Sequence, residues 1–508
     1  MFLDNFLNTT TMYRLVLYCL LGILAVALLF SHLGILPHSP FLVAVGTIFL
    51  VLVSVFTNKI LAWLLKAKVN TESAYITALI LALIVAPIKD LEDWSYWLFL
   101  LVVALVAMVS KFVLVSGKKH IFNPAALAVT FTLFTMNQSA GWWVGVLPMA
   151  PFTLALGALV VKKTERFDLV FSFFVVALAP TLFGLNANTG EGLQYYLARI
   201  VFDSPILFFA LIMLTEPLTT PPRRRNRIIY GALVGLLFNP SLHLGPIYST
   251  PEIALLLGNL FSYAVSPKGR LVLKLKEKIQ IADSVYDFIF TTDKKVTFKP
   301  GQYLEWTVSP EHSDTRGNRR YFTIASSPTE QDIRLGVKFY PNGSTFKKKL
   351  LALAKGETIS ASNLSGEFVM PEDTKRKLVF LAGGIGITPF RSMVKYLTDR
   401  DEKRDIIMIY SNRTAKDIAY RTLFSESEKK IGLRTVYTLT DSMSAGNVWN
   451  DRYGMVDAKM LKEEVPDFLE REFFLSGTHS MVVAFEKMLR GLGVSRSKIK
   501  KDFFPGYV

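Results

Sequence analysis

"KLVFLAGGIGITPFRSMVKYL", residues 377–397, decides the fold of the second half of this chain. Leu378 to Leu381 form an apolar run suited to a strand buried on both faces. Gly383, Gly384 and Gly386 follow as a turn, and Pro389 stands where the first turn of a helix accepts it. Strand, glycine turn and helix open a βαβ unit. "DIIMIYSNR" (405–413) and "EFFLSGTHSMVVAFEKML" (472–489) repeat the strand-then-helix pattern. Residues 373–508 are therefore expected to form an α/β domain on a parallel sheet.

Just upstream the text changes. "RLVLKLKEKIQIADSVYDFIFTT" (270–292) alternates apolar and polar residues, as half-buried strands do. Short strands with turn signals continue to about residue 370, which predicts a small antiparallel β-barrel over 267–372.

Six separated motifs lie across these two regions: "FKPGQYLEW" (298–306), "RRYFTIASSP" (319–328), "GVKFYPNGSTFKKKL" (336–350), "LSGEF" (364–368), "AGGIGITP" (382–389) and "SGTHSMV" (476–482). In this order and spacing they resemble the ferredoxin–NADP reductase superfamily, from about 268 to 508. The resemblance implies FAD in the barrel and NADH or NADPH in the α/β domain. Gln302 and Tyr303 would edge the flavin. Arg320, Tyr321, Phe322 and Thr323 stand in the family's flavin-binding slot. There Arg320 offers a planar fork to a pyrophosphate, Phe322 an aromatic face, and Thr323 a hydroxyl toward the flavin N5 edge. Gly336, Val337 and Lys338 fall where the family's backbone passes the adenine side. Gly343, Ser344 and Thr345 open a helix that can meet phosphate. Gly383, Gly384 and Gly386, with Thr388 and Pro389, would receive the second pyrophosphate. Ser476, Gly477 and Met481 would lie near the nicotinamide, with Ser476 in place of the family's usual cysteine. Tyr507, in "FFPGYV" (503–508), would shield the flavin. In "YSNRTAKDIAYR" (410–421) no acid ends the strand, and Ser411 and Arg413 offer contacts to a 2′-phosphate. Thr323, Ser476 and Tyr507 are the expected catalytic residues.

The first half is a different material. The chain has 508 residues and is 51% hydrophobic, with a mean hydropathy of +0.35. Ten apolar runs are candidate membrane spans: about 14–31, 40–57, 72–87, 95–115, 122–136, 142–161, 168–184, 202–214, 227–240 and 251–266. The first has no small-residue cleavage site and reads as a retained helix. Alternate loops carry Lys59, Lys66 and Lys68; Lys118 and Lys119; Lys162, Lys163 and Arg166; Arg223, Arg224, Arg225 and Arg227; and Lys268, Arg270 and Lys274. The loops between them carry one lysine, Lys89, beside three acids. This alternation predicts a multi-pass protein of the cell inner (plasma) membrane with both termini in the cytoplasm. It also accounts for the formal net charge of +16 without nucleic acid. The only cysteine, Cys19, excludes internal disulfides, iron–sulfur clusters and thiolate zinc sites.

"NTESAYITALILALIVAP" (70–87), "SGKKHIFNPAALA" (116–128), "LTEPLTTPP" (214–222), "RIIYGALVGLLF" (227–238) and "PEIALLLGN" (251–259) resemble the RnfD and NqrB membrane subunits of ion-pumping NADH:acceptor oxidoreductases. Over residues 1–266 this implies a ten-helix domain that carries FMN or another flavin and moves electrons across the bilayer. The family links FMN to a threonine in Ser-Gly-Ala-Thr, a motif missing here. Thr189, in "NANTGEG" (186–192), is the nearest residue in place, so a flavin held without a covalent link is the alternative. Polar residues within spans are costly and functional by default. Glu72, Asn123, Asp203, Glu216, Thr219 and Asn239 are the candidates for a flavin or ion. Two Phe-Asn-Pro triplets (122–124 and 238–240) hint at an internal duplication.

The expected fold is thus multi-domain: a polytopic α-helical membrane domain of about ten helices (1–266), an antiparallel β-barrel FAD domain (267–372) and a parallel-sheet nucleotide domain (373–508). The expected function is a membrane flavin oxidoreductase. It would take hydride from cytoplasmic NAD(P)H and pass electrons through a membrane flavin to a quinone, an extracytoplasmic acceptor or a partner redox protein. A redox-driven ion pump or transporter is the alternative. None of the six histidines forms a spaced pair inside a span, which argues against haem.

Overall fold

The computed structural model describes residues 6–7, 10–66, 71–116, 119–182, 193–266, 270–309, 318–441, 449 and 451–502. The chain forms two compact units, Met1–Lys268 and Gly269–Val508.

Unit 1 is helical. In chain order its helices are α1 (Met12–His32), α2 (Pro40–Leu64), α3 (Thr71–Ile84), α4 (Trp94–Val113), α5 (Pro124–Met136), α6 (Ala150–Thr164), α7 (Phe167–Leu182), α8 (Leu193–Phe202), α9 (Ile206–Phe208), α10 (Arg224–Leu237) and α11 (Pro251–Val265). Helix stands at each of the ten expected places. Among the described residues, however, only α1, α2 and α4 are long and apolar enough to cross a membrane. The expected count of about ten such helices is corrected to three. The reason is local. α5 starts only after Asn123, whose side-chain amide oxygen Oδ1 accepts the Ala126 N–H at 3.0 Å and caps the helix. The run from 142 opens with Trp142 at φ 45°, in a turn closed by Gly145 N–H on the Trp142 carbonyl at 2.7 Å. α6 therefore begins eight residues late. Fourteen helical residues, as in α3, reach about 21 Å, short of a hydrocarbon core of about 30 Å.

Two of these short helices end inside the unit. The Ile84 carbonyl at the end of α3 accepts from Gly141 N–H (2.9 Å) and Trp142 N–H (2.7 Å), so a loop replaces the next helical turn. α9 continues as a π-helical turn, Phe209–Met213, a geometry that recurs at functional sites. α7 and α10 pack backbone to backbone: a Cβ on Gly235 would stand 2.6 Å from the Phe173 carbonyl. The two Phe-Asn-Pro triplets play different parts. Asn123 caps a helix, whereas Asn239 follows α10 and accepts the Ser241 N–H at 2.9 Å in a turn.

Unit 2 holds two sheets. The first contains β1 (Leu271–Ala282), β2 (Val285–Thr292), β3 (Tyr303–Thr307), β4 (Arg319–Thr323), β5 (Ile333–Lys338) and β6 (Thr358–Ser365). Its order is β4-β3-β6-β1-β2-β5, antiparallel throughout. Leu271, Leu273 and Leu275 point inward from β1, as its alternation requires, onto Phe288, Phe290, Trp306 and Phe346. α12 (Thr345–Leu351) covers this core. The second sheet contains β7 (Leu378–Gly383), β8 (Ile406–Asn412), β9 (Arg434–Leu439), β10 (Arg452–Tyr453), β11 (Glu472–Ser476) and β12 (Ile499–Asp502). Its order is β10-β9-β8-β7-β11-β12, parallel throughout. β8 is buried at every position because hydrophobic clusters lie on both faces, around Phe380 and Phe390 on one and Leu381 and Phe473 on the other. α13 (Thr388–Asp399), α14 (Arg421–Ile431), α15 (Ala458–Glu464) and α16 (His479–Gly491) complete the domain. Strand order reverses between β7 and β11, and a crevice outside the strand ends at such a switch point is where open α/β sheets bind ligands.

Candidate active site

The glycine turn after β7 sits at that switch point. Its three glycines do different things. A Cβ on Gly383 would collide with the Met481 sulfur, and one on Gly386 would come within 2.6 Å of the Ser476 carbonyl and the Gly477 nitrogen. These two let the turn pack against the loop after β11. Gly384 has φ +51° and open space where a Cβ would stand. It alone leaves the backbone bare at the entrance to α13, where Pro389 occupies the first turn. The Thr388 hydroxyl donates to the Ile385 carbonyl at 3.2 Å and closes the turn. Sequence reasoning expected all three glycines to face a pyrophosphate; packing uses two of them.

The loop after β11 is joined by a third segment. Ser476 and Asp502 are aligned partners on β11 and β12. Thr323, at the end of β4 in the other sheet, donates its hydroxyl to the Asp502 carboxyl at 3.4 Å. Thr323, Ser476 and Asp502 are 3%, 4% and 8% exposed, so a carboxyl is closed in between the two domains. Burial pushes Asp502 up to about 7, against a weaker pull from Thr323. Two of the three expected catalytic residues thus meet here, together with an acid that sequence reasoning missed. Tyr507 lies outside the described residues.

The other flavin-slot residues gather on β3, β4 and α12. Arg320 is buried, with its guanidinium carbon 5.4 Å from the Phe346 ring centre and one nitrogen donating to the Arg319 carbonyl at 2.6 Å. Phe322 packs on Phe346 at 5.9 Å. Tyr321, exposed, meets Tyr303 edge-on at 5.6 Å. Ser344 caps α12 by accepting the Lys347 N–H at 3.4 Å, with Thr345 next to it, and Gly343 closes the preceding turn onto the Tyr340 carbonyl. Gln302 is tied down, accepting the Lys299 N–H at 2.8 Å and donating to the Gly366 carbonyl at 3.3 Å.

The remaining three sit where the domains clamp together. Val337 belongs to the first core. The Lys338 ammonium pairs with Asp417 at 2.6 Å. A Cβ on Gly336 would stand 2.7 Å from the Tyr420 hydroxyl and 2.8 Å from Thr388 Cγ2, so this glycine admits the second domain. Around it runs an ionic clamp. Arg391, 5% exposed, donates to the Ala325 carbonyl (2.9 Å) and makes two bonds to Glu330. Asp287 accepts from Arg334 (3.1 Å) and the Tyr420 hydroxyl (3.3 Å), and Ser392 donates to the Ser326 carbonyl (2.6 Å). Burial would raise Glu330, but the hydrogen bonds and charge of Arg391 outweigh it and hold the carboxyl below its ordinary range. Asp287 moves the other way, because burial outweighs Arg391 and Arg334. At the end of β8, Ser411 is buried, and Arg413, 79% exposed, reaches Asp441 only at 3.9 Å.

In unit 1 the candidates separate. Asn123 donates to the Glu216 carboxylate at 2.8 Å, and the Thr219 hydroxyl approaches it at 3.4 Å. Asn259, missed from the sequence although it ends the quoted "PEIALLLGN", accepts the Asn123 backbone N–H at 2.8 Å and donates to the Tyr230 hydroxyl at 2.9 Å. The other candidates lie elsewhere. Glu72 pairs with Arg14 at 2.8 Å, Asp203 is exposed, and Asn239 serves its turn. Glu72 and Asn239 are thus not brought together with Glu216, each being held by a partner of its own. Glu252 accepts from the Trp142 indole at 2.7 Å. In the arginine cluster Arg227 grips Asp168 at 2.8 Å and ties the first turn of α10 to α7. Thr189 lies outside the described residues.

Known proteins resemble unit 2. Residues 272–369 match the family model of an oxidoreductase FAD-binding domain, and 380–490 that of an oxidoreductase NAD-binding domain. The glycine betaine monooxygenase reductase subunit of Pseudomonas aeruginosa is 29% identical over 239 residues, or 46% of this chain and 64% of that protein. The flavohemoprotein of Bacillus subtilis is 26% identical over 210 residues, or 41% and 51%. The chain thus spans less than two thirds of the length of these relatives. Among solved structures, Amycolatopsis cytochrome P450 reductase GcoB shares 24% identity over 46% of this chain and 69% of its own, with a TM-score of 0.42. The cytochrome b5 reductase domain of Ulva prolifera nitrate reductase shares 21% over 47% and 98%, with a TM-score of 0.41. Unit 2 is an oxidoreductase module, an FAD-binding domain followed by an NAD-binding domain.

Proposed function

We propose that the chain is a membrane-anchored NAD(P)H:acceptor oxidoreductase. Unit 2 takes hydride from cytoplasmic NAD(P)H, and unit 1 receives the electrons for a quinone or an extracytoplasmic acceptor. The observation that carries this reading is the closed meeting of Thr323, Ser476 and Asp502 at the switch point of an NAD-binding sheet. FAD, when bound, would supply acceptance of a hydride and release of single electrons. Its binding is supported by the Arg320 fork on Phe346 and by the edge-on Tyr303–Tyr321 pair, of which Tyr321 is exposed. The bare backbone at Gly384 fits the pyrophosphate of NAD(P)H. Ser476 and Thr323 would then position the two rings, and Asp502 would hold a proton beside them.

Membrane attachment is supported by α1, α2 and α4, and an FMN or other flavin in unit 1 follows from the sequence resemblance. A single cysteine, Cys19, cannot hold an iron–sulfur relay, so electrons would leave through unit 1 or through a partner. The second reading is delivery to a separate redox protein, favoured by relatives that are reductase subunits. Sealed inverted membrane vesicles decide between them. NADH-driven reduction of a membrane quinone analogue by vesicles holding this chain alone supports the first. Turnover only after a soluble acceptor is added supports the second.

A further inference from the structure

Part of the clamp in unit 2 is laid on one short segment, "TIASS" (323–327), which runs on from the end of β4. It opens with Thr323, whose hydroxyl meets Asp502. The backbone groups that follow are held one by one. Ile324 N–H donates to the Gln302 carbonyl at 2.9 Å, and Ala325 N–H to the Arg334 carbonyl at 2.9 Å. The Ala325 carbonyl accepts from Arg391 at 2.9 Å, and the Ser326 carbonyl from the Ser392 hydroxyl at 2.6 Å. Ser327 N–H donates at 2.7 Å to Glu330, the carboxylate that also takes two bonds from Arg391. Ser326 and Ser392 are both 0% exposed, so bulk water does not compete for their bond. The two side chains that grip the carbonyls come from one place. Arg391 and Ser392 lie one turn into α13, directly behind the glycine turn. Four residues separate Thr388 from Ser392, about 6 Å along the helix axis. The bare backbone at Gly384 and the hydroxyl of Thr323 are thus coupled through one helical turn and two buried hydrogen bonds. A clamp for stability alone could sit anywhere along the boundary of the two sheets, as the Lys338–Asp417 pair does.

We propose that Arg391 and Ser392 are positioning residues for hydride transfer: they tie the glycine turn to the segment after Thr323 and so set the spacing between nicotinamide and flavin. The proposal rests on reading Thr323 as the flavin edge and Gly384 as the pyrophosphate seat. Both residues act through the segment they hold. A misplacement of about 1 Å between reacting groups costs about 100-fold in rate. Loss of one tether therefore slows the transfer, while the groups that bind the coenzyme stay in place.

The test reduces the full-length holoprotein with NADH anaerobically in a stopped-flow instrument. The long-wavelength charge-transfer absorbance between reduced flavin and oxidised nicotinamide is read in the same traces. Ser392→Ala should lower the rate at saturating NADH about tenfold, change the Kd for NADH by less than about twofold, and weaken the charge-transfer band. Amide hydrogen exchange over 323–327 should quicken in the same variant. Asp417→Asn weakens the clamp away from that segment. It should release flavin at a lower temperature and keep the rate and the band of wild type. An unchanged rate and band in Ser392→Ala overturns the proposal, as does an Asp417→Asn that loses both to the same extent. Should Ser392→Ala fail to hold FAD, Arg391→Lys, which keeps a charge facing Glu330 and loses the fork, is judged by the same two readings. Thr323→Val tests the underlying reading separately: wild-type reduction there removes Thr323 from the flavin edge, whatever Ser392→Ala shows.

Discussion

Replacing Asp502 with asparagine removes a titrating carboxyl and keeps its shape. Burial pushes this acid up to about 7 from an ordinary 3.8. Between those values the folded carboxyl keeps its proton while the unfolded chain has lost it. The group's stabilisation is therefore full below about pH 4, shrinks as pH rises, and is gone above about pH 7. A gap of about three units at about 1.4 kcal/mol each sets a ceiling of about 4 kcal/mol. Relaxation of the site brings a realistic figure nearer 2 kcal/mol. For a unit of this size that is a midpoint difference of about 4–8 °C. Thermal release of flavin fluorescence from the full-length protein between pH 4 and 8 reads it. The wild-type midpoint should fall relative to Asp502→Asn across this range, and the two curves should run parallel above pH 7. Parallel curves over the whole range would refute a buried, proton-holding Asp502.

Gly386→Ala drives a methyl group into the Ser476–Gly477 backbone. It should slow flavin reduction by NADH about 100-fold by displacing the loop, with FAD still bound, in stopped-flow measurements. Arg391→Met strips the half-buried Glu330 of its two Arg391 bonds, leaving Arg334 at 3.2 Å as its cation, and should cost about 1.5–3 kcal/mol of unit 2 stability. Adding Glu330→Gln should recover much of that loss in the same flavin-release assay. Arg413→Ala should lower kcat/KM for NADPH about tenfold and barely change that for NADH, if Arg413 meets the 2′-phosphate. Equal losses with both coenzymes would remove Arg413 from that role.

Local features were legible in the sequence. The run from Leu378 to Pro389 reads as strand, glycine turn and helix because each signal lies within a few residues, and that is what it forms. Asp502 was not legible, since "KIKKDFF" looks like a solvated charged segment. Its burial comes from β12 joining the sheet beside β11, with Thr323 arriving from 179 residues away. The clamp is non-local in the same way, with Arg391 and Glu330 separated by 61 positions. Gly336 was assigned to the flavin by motif, but its missing side chain makes room for Tyr420. In unit 1 the apolar runs located the helices and not their ends. Hydropathy does not register that Trp142 turns to φ 45° or that α3 stops at Ile84.

The central claim is that electrons from NAD(P)H enter unit 1. Its most direct test is flavin extraction from purified full-length protein, combined with anaerobic NADH titration of the same sample. FAD plus a second flavin in each chain, both reduced by NADH, is the expected result. A single FAD per chain, taking up all the electrons with no second flavin extracted, would contradict it.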